Sequence, residues 1–343
     1  MRHGLVGYGF GGRCFHAPYI DAAPGIELVG IVARAPERRA EVARDWPGMP
    51  VYGSLAEMLA AGVESVTITT PPATRRELVL EAIAGGVHVV ADKPFAPTAE
   101  GGRELVAAAQ SAGVGLNVYQ NRRYDADIRT LAGVLARGDV GEAWRFEDRF
   151  DLDEPGTLDA GPFGGLLRDL GAHLADQALW LLGPVTAVYA ELDIVDLPEG
   201  PTDAAFALSL THASGARSRL SASKVNRNVE REMRLYGSAG SYIASGTDVQ
   251  TAAILAGRRP AIEGEAWGYE DESRWGVLRT AAGEVRVPSE RGAYQDYYAQ
   301  FAAAARGEGP WPVPGEEGVR TLEVLDAARV SALEGRVVRI GEG

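Results

Sequence analysis

Short apolar runs alternate with amphipathic stretches over residues 1–120, a pattern typical of parallel strands joined by crossover helices. The predicted strands are His3–Val6, Glu27–Ala33, Ser65–Thr70, His88–Ala91 and Gly115–Tyr119. The predicted helices are Gly12–Ala22, Pro36–Arg44, Ser54–Ala61, Ala73–Ala84 and Ala99–Ala112. Gly85-Gly86 and Gly113 follow two of these helices, where glycine often caps a helix C-terminus. The first part of the chain is therefore predicted to be an α/β domain with a doubly wound parallel sheet.

The pattern changes after about residue 122, where apolar and polar positions alternate with period 2. Helices are predicted at Asp127–Arg137, at about Leu166–Leu182, and at about 293–306 and 315–334. Strands are predicted at Trp144–Phe150, Val185–Val195, Ala204–Thr211, Ala216–Val225 and Glu230–Tyr236, and the turn 212–215 joins two of them as a hairpin. Residues 246–290 show no regular pattern. The sequence thus predicts a second, α+β domain with a mostly antiparallel sheet, so the expected domains are 1–121 and 122–343.

The composition narrows the class of protein. A chain of 343 residues is long for one core, which favours two domains. A formal net charge of −13 argues against non-specific binding to nucleic acid, which requires a basic surface. No apolar run approaches the roughly 20 residues of a membrane span, no signal peptide is visible, and the single Cys14 suits a reducing compartment. We therefore expect a cytoplasmic protein with neither a membrane nor a nucleic-acid partner.

Lysine is almost absent from the sequence. Of the 34 basic residues 32 are arginine, and the two lysines are Lys93 and Lys224. Lysine is a compact ammonium that can lose its proton, whereas arginine is a permanently charged planar fork. Lys93 lies in a motif described below, and Lys224 is interpreted as a chance survivor of the bias.

Gly7-Tyr8-Gly9-Phe10-Gly11-Gly12 follows the first predicted strand directly and matches the G-x-G-x-x-G pattern of dinucleotide-binding turns. Gly7 permits the tight turn, Gly9 lets the backbone approach a pyrophosphate, and Gly12 lets the helix pack on the strand. The free N–H groups at the start of that helix favour phosphate. The sequence therefore predicts a Rossmann domain with a dinucleotide site, and a merely structural glycine turn is the weaker alternative.

The tip of the second predicted strand indicates which dinucleotide binds. It reads Ala33-Arg34, without the acid that commonly binds the ribose 2′-hydroxyl of NAD. A guanidinium at Arg34 suits the 2′-phosphate of NADP, and Arg38 and Arg39 follow nearby. NADP is therefore favoured and NAD is the alternative, because an ordinary surface arginine in an Arg-rich chain would look the same.

Two local patterns carry candidate chemistry. Asp92-Lys93-Pro94 follows a predicted strand directly, which places Lys93 at the carboxyl end of the sheet, where ligands bind in doubly wound folds. Asp169 and His173 lie four residues apart in a predicted helix and so share one face. His173 is a candidate general base, with Asp169 orienting it or contacting substrate. A solvated helix face and a metal site are the alternatives, but no second cluster of histidines and acids would complete a metal site, so no metal is expected.

Together the glycine pattern, Thr70-Pro71-Pro72, Asp92-Lys93-Pro94 and Asp169-x-x-x-His173 resemble the glucose–fructose oxidoreductase / inositol dehydrogenase / MocA family over nearly the whole chain. The resemblance implies a Rossmann domain and an α+β domain whose open sheet commonly serves oligomerisation, hence a homodimer or homotetramer. It implies catalytic roles for Lys93, Asp169 and His173. The cofactor-binding residues expected are Gly7, Gly9, Phe10, Gly12, Ala33, Arg34, Thr70, Pro71, Pro72, Asp92 and Lys93. The substrate-binding residues expected are Gln120, Asn121, Arg123, Asp169 and His173.

Within that family, residues 9–18 and 121–125 look most like the NADP-dependent scyllo-inositol dehydrogenases. The implied reaction is hydride transfer between NADP and a secondary alcohol of a polyol, cyclitol or sugar. Pro72 and Arg75 replace the family's usual Asn and His near the nicotinamide, and Gln120 stands where this branch often has His. A change at Gln120 bears on the substrate, because one hydrogen bond can discriminate strongly between substrates. A non-catalytic NAD(P)-binding sensor and a redox-assisted lyase or glycosidase are the alternative functions.

Overall fold

The computed structural model of the chain describes residues 1–161, 164–246 and 248–341. The chain divides into two compact units. The first comprises Met1–Tyr124, Gln250–Trp267 and Ala293–Val319. The second comprises Asp125–Val249, Gly268–Gly292 and the chain from Arg320 onward. Two later segments, 250–267 and 293–319, thus belong to the first unit. The domain boundary after residue 121 stays a prediction.

A parallel sheet organises the first unit. Its strands are β1 (Arg2–Val6), β2 (Glu27–Val32), β3 (Val51–Tyr52), β4 (Ser65–Ile68), β5 (His88–Asp92) and β6 (Leu116–Tyr119). The order β3-β2-β1-β4-β5-β6 is that of a Rossmann fold, and every pair of neighbours is parallel. The helical segments between them are a π-helical turn (Gly12–His16), α1 (Ala17–Ala22), α2 (Pro36–Asp45), α3 (Leu55–Ala60), α4 (Pro72–Ala84) and α5 (Ala99–Ala112). The predicted α/β class is confirmed, and the two-residue β3 is an addition.

The second sheet is mixed but mostly antiparallel. Its strands are β7 (Ala143–Asp151), β8 (Val185–Leu197), β9 (Gly200–His212), β10 (Arg217–Ser223), β11 (Glu230–Gly237), β12 (Gly240–Ala244), β13 (Val277–Thr280), β14 (Gly283–Arg286) and β15 (Val338–Arg339). The order is β14-β13-β12-β11-β7-β10-β9-β8-β15, and β7 with β10 is its parallel pair. The predicted hairpin between β9 and β10 is present. This sheet confirms the predicted class of the C-terminal part.

The remaining helices complete both units. They are α6 (Ala126–Ala136), α7 (Leu166–Leu182), α8 (Val249–Leu255), α9 (Pro260–Glu263), α10 (Tyr294–Ala305) and α11 (Gly315–Glu334). In the second unit α7 packs against β7, β9 and β10. In the first unit, α10 contributes the fully buried Tyr297, Tyr298 and Phe301 to the core. Within the described ranges, every helix is too short or too polar to span a membrane.

Burial along the second sheet follows the alternation in the sequence. Leu220 of β10 and Met233 of β11 are buried, whereas Arg217, Arg219 and Glu230 are exposed. Side chains alternate between the two faces of a strand, so the buried residues of β10 face α7 and the charged residues lie on the opposite face. The use of this open sheet for oligomerisation, which the family resemblance implies, stays a prediction.

The expectation of irregular structure over residues 246–290 is wrong. The described part of this segment holds α8, α9, β13 and β14; Thr247 lies outside the described residues. These elements are short, and every residue of β14 is exposed, so neither a helical stripe nor an apolar alternation marks them in the sequence.

Candidate active site

The glycine-rich turn lies between β1 and the π-helical turn. Gly7 has a φ of 104°, and a Cβ on Gly12 would lie 2.4 Å from the carbonyl oxygen of Gly7, so both positions require glycine. A Cβ on Gly9 would meet no atom within 4 Å. The turn therefore leaves space beside the Gly9 backbone at the start of a helical segment, which fits a bound pyrophosphate. Phe10 lies in this turn and is exposed.

A polar cluster that the sequence did not reveal supports this turn. Tyr8 donates from its hydroxyl to Asp45 at 3.1 Å and accepts from the indole N–H of Trp46 at 2.8 Å. Arg13 donates from Nε to the same carboxylate oxygen at 2.6 Å. Burial, with the charge of Asp45, raises the pKa of Tyr8 well above its usual range, so this hydroxyl stays protonated. Asp45 at the end of α2 therefore ties the turn to the helix after β2.

The arginines after β2 have different partners. Ala33 is buried and Arg34 is exposed. Arg39 donates from Nε to the carbonyl oxygen of Ala33 at 2.9 Å, which holds its guanidinium beside the strand tip. Arg38 instead forms an ion pair with Glu41 at 2.7 Å. Arg34 and Arg39 are thus the two arginines here that fit an anion at the tip of β2.

Lys93 follows a carboxylate that is held from several sides. Asp92 ends β5, and its side chain accepts from Thr69 Oγ1 at 2.7 Å and from the backbone N–H of Lys93 at 2.8 Å. His16 Nε2 lies 3.3 Å from Oδ2 of Asp92, a separation at which the attraction is mainly electrostatic. Burial alone would raise the pKa of Asp92, but the charges of His16 and Arg75 and the hydrogen bond from Thr69 together hold that pKa well below its usual range. Asp92 is therefore a carboxylate.

The Lys93 turn and the glycine-rich turn adjoin each other within the first unit. A Cβ on Gly11 would lie 2.9 Å from Thr69 Oγ1 and 3.6 Å from Oδ2 of Asp92. Thr70 and Pro71 precede α4, whose first residue is Pro72. Because these turns all follow carboxyl ends of parallel strands, they form the edge at which ligands bind in this fold.

Arg75 stood out in the sequence only because it replaces the family's usual histidine, and the structure shows its contacts. Its side chain is buried, and its guanidinium donates to the carbonyl oxygens of Thr70, Asp92 and Pro94. The one signal in the sequence was a departure from the family's usual histidine. The guanidinium of Arg75 therefore lies against the turn that carries Lys93.

The predicted substrate residues after β6 are buried. Gln120 is 2% exposed, and its Oε1 has no hydrogen-bond partner within the described part of the chain. Buried amide oxygens usually have one, so this atom suits a ligand or a water. Asn121 is also buried. Arg123 forms an ion pair with Glu317 at 2.8 Å, a structural contact that accounts for its burial as well as a substrate contact would.

The second unit holds the remaining predicted catalytic residues. Asp169 lies in the first turn of α7 and His173 one turn later. His173 is 5% exposed and Asp176, three residues further on, is 1% exposed, so this part of the helix is buried rather than solvated. Lys224 donates from Nζ to Oδ2 of Asp169 at 3.0 Å. The interpretation of Lys224 as a chance survivor is therefore wrong, and the scarcity of lysine was the signal that could have placed it.

The parallel sheet with its glycine-rich turn fits a dinucleotide-binding domain, and similarity to known proteins shows that the chain is an NAD(P)-dependent oxidoreductase. Residues 1–120 match the model of an oxidoreductase family with an NAD-binding Rossmann fold, GFO_IDH_MocA, and residues 128–243 match the GFO/IDH/MocA C-terminal domain. The chain belongs to this GFO/IDH/MocA family.

Its relatives include named oxidoreductases. The uncharacterized oxidoreductase YdgJ of Escherichia coli (strain K12) is 35% identical over 97% of this chain and 96% of its own length. The scyllo-inositol 2-dehydrogenase (NADP(+)) IolW of Bacillus subtilis (strain 168) is 32% identical over 99% of this chain and 96% of its own. A solved structure of the Bacillus subtilis oxidoreductase yvaA is 32% identical and superposes with a TM-score of 0.90, covering 99% of this chain and 98% of that one.

Proposed function

We propose that the protein transfers a hydride between NADP and a secondary alcohol of a polyol, cyclitol or sugar. The observation that carries the proposal is the short distance between the Asp92 carboxylate and the glycine-rich turn, because it brings the Lys93 turn to the edge that suits the cofactor. The similarity to IolW, which is named for scyllo-inositol and NADP, supports the substrate class and the cofactor.

Lys93 is assigned to bind the oxygen of the substrate at which the reaction takes place. A bound nicotinamide would supply the hydride acceptor and donor for the reacting carbon. The ammonium of Lys93 hydrogen-bonds the oxygen on that carbon and stabilises the negative charge that develops there. The rigid turn that carries Lys93 keeps this donor in place before the reaction begins, which favours catalysis over mere binding.

His173 and Asp169 are assigned to the proton and to orientation. His173 removes the hydroxyl proton during oxidation and returns it during reduction. Asp169 accepts a hydrogen bond from the substrate or from His173, while Lys224 holds one of its carboxylate oxygens. Gln120 supplies an amide whose oxygen is suited to a substrate hydroxyl.

Arg34 and Arg39 are assigned to bind the 2′-phosphate of NADP. Arg34 lies just beyond β2, and Arg39 of α2 brings its guanidinium to the same strand tip, where NAD-binding folds commonly carry an acid. Guanidinium groups bind phosphate by charge-assisted hydrogen bonds, whereas the 2′-hydroxyl of NAD gives them no charge to bind. This assignment favours NADP over NAD.

The test is cofactor reduction by purified protein with NADP⁺ and NAD⁺ against inositols, aldoses and sugar alcohols, with Lys93→Met as the matched inactive variant. We expect NADPH formation with a cyclitol or sugar, and loss of at least about 100-fold in turnover in Lys93→Met with NADPH still bound. Tight NADPH binding without turnover would favour a sensor. Product formed without net cofactor reduction would favour a redox-assisted lyase or glycosidase, and no cofactor binding would refute the proposal.

A further inference from the structure

We infer that Arg75 is a positioning residue for Lys93, whose backbone turn it fixes with a buried guanidinium. The inference rests on the proposed function, since it deepens the account of the site at which Lys93 acts. Arg75 lies in the first part of α4, and nothing in its local sequence indicates a contact with the Lys93 turn.

The contacts of Arg75 enclose Lys93 on both sides. Nη1 donates to the carbonyl oxygen of Asp92 at 3.0 Å and to that of Pro94 at 2.6 Å, the residues directly before and after Lys93. Nη2 donates to the carbonyl oxygen of Thr70 at 2.8 Å. One planar group therefore joins two loops at the carboxyl edge of the sheet, and a lysine in its place could not reach three such acceptors with fixed geometry.

The burial of Arg75 indicates why those contacts matter. The residue is 5% exposed, and burial lowers its pKa, against which the charge of Asp92 acts. A buried charge costs free energy unless hydrogen bonds compensate it. Apolar packing alone would be served by an aliphatic residue at this position, so we attribute the guanidinium to its three carbonyl contacts.

A direct contact with a cofactor phosphate is the rival role for Arg75. Arginines near phosphate-binding turns often bind phosphate themselves. Here both terminal nitrogens already donate to backbone carbonyls, and the side chain is buried, unlike that of Arg34. The geometry therefore assigns Arg75 to the backbone rather than to the phosphate.

A second set of contacts makes this clamp more effective. The Asp92 carboxylate is held by Thr69 and His16, so residue 92 is fixed through its side chain as well as its carbonyl. The Lys93 Cα consequently lies between two anchored carbonyls. Displacing a catalytic group by about 1 Å can cost about 100-fold in rate, so loss of the Arg75 contacts should be visible in turnover.

The first experiment locates the Lys93 side chain without using cofactor or substrate. The chain has two lysines, so protein labelled with ¹³C at lysine Cε gives two NMR signals, which the Lys224→Arg variant assigns. We expect Arg75→Gln and Arg75→Met to shift and broaden the Lys93 signal while that of Lys224 stays in place. Arg75→Gln keeps an amide donor and provides the test if Arg75→Met does not fold. An unchanged Lys93 signal in the folded variants would overturn the inference.

The matched control is the neighbouring Arg76, a surface residue paired with Glu104. Arg76→Met removes a guanidinium one position away, and we expect it to leave the Lys93 signal, turnover and NADPH affinity at the parental values. A shift as large as that of the Arg75 variants would mean that α4 is generally sensitive, which contradicts a specific clamp.

The second experiment separates turnover from cofactor binding. In Arg75→Gln we expect kcat for the polyol to fall about 10- to 100-fold and the NADPH Kd, measured by fluorescence, to change much less. An equal loss in kcat and in NADPH affinity would assign Arg75 to the cofactor and overturn the inference. A parent protein without polyol activity would refute the proposed function, while the NMR comparison would still decide the role of Arg75.

Discussion

Lys224 donates from Nζ to Oδ2 of Asp169 at 3.0 Å, which links the residue after β10 to the first turn of α7. The lysine side chain is 7% exposed and that of Asp169 is 46% exposed. A buried ammonium requires a partner, so the pair fixes one carboxylate oxygen and leaves the acid accessible. Lys93 donates from its backbone N–H to the carboxylate of Asp92. Each of the two lysines therefore donates a hydrogen bond to an aspartate that was predicted to belong to the site.

Removing the ammonium of Lys224 should impair the use of substrate without affecting the cofactor. Charge-assisted hydrogen bonds are worth about 1.5–3 kcal/mol, so we expect Lys224→Met to lower kcat/KM for the polyol about 10- to 100-fold. Lys224→Arg should recover part of that loss, because the charge remains but the shape differs. The measurement is steady-state kinetics with NADPH affinity in parallel, and the exposed Arg219→Met on β10 is the control. Parental kcat/KM in Lys224→Met would contradict this role.

His173 should be essential to the chemical step. General acid–base catalysis typically contributes about 10²–10⁴ in rate, so we expect His173→Ala to lose that factor in kcat. His173→Asn, which keeps hydrogen-bonding capacity but cannot take up a proton near neutral pH, should be equally impaired. The pH dependence of kcat should also lose the limb that a general base produces. A His173→Asn variant with near-parental turnover would exclude His173 as the base.

The arginines at the tip of β2 should determine the choice of cofactor. Arg34→Ala and Arg39→Ala should each raise the KM for NADP⁺ more than that for NAD⁺, because each removes a charge that the 2′-phosphate alone would use. Arg38→Ala is the matched control, since Arg38 is paired with Glu41. The measurement is the ratio of kcat/KM values for the two cofactors. A ratio that stays constant in all three variants would show that cofactor preference arises elsewhere.

Much of the fold could be predicted because local sequence patterns indicate its helices and strands. The buried parallel strands read as short apolar runs, and α7 was predicted with its observed bounds, because a Leu-rich stripe repeats along it. The missed elements have no such pattern. β13 and β14 are four residues each and neither has a buried residue, so no buried face imposes an alternation on their sequence.

The candidate site divides in the same way. Residues recognised by local spacing, such as Gly7 and Lys93, could be identified because a turn or a strand end is a local property. Arg75 and Lys224 could not, because their partners are distant in sequence, and only the folded chain brings Lys224 to Asp169 or Arg75 to Asp92. The sequence could show that a rare lysine or an unusual arginine was present, but it could not show what that residue contacts.

His3 should make the protein sensitive to acid. It is fully buried in β1, where its ring nitrogens hydrogen-bond Ser65 at 2.7 Å and Thr67 at 2.8 Å. Burial, then the charges of His16 and the N-terminus, lower its pKa from 6.5 to about 3. The unfolded chain therefore binds a proton that the folded chain rejects, so stability is complete above pH 6.5 and falls as the pH drops toward 3. The loss from this one proton is at most about 1.4 kcal/mol per pH unit.

His3→Gln keeps hydrogen-bonding groups but does not titrate, so its free energy of unfolding, measured with urea across this range, should fall less steeply than that of the parent. Parallel curves for the two proteins would show that His3 is not the group responsible.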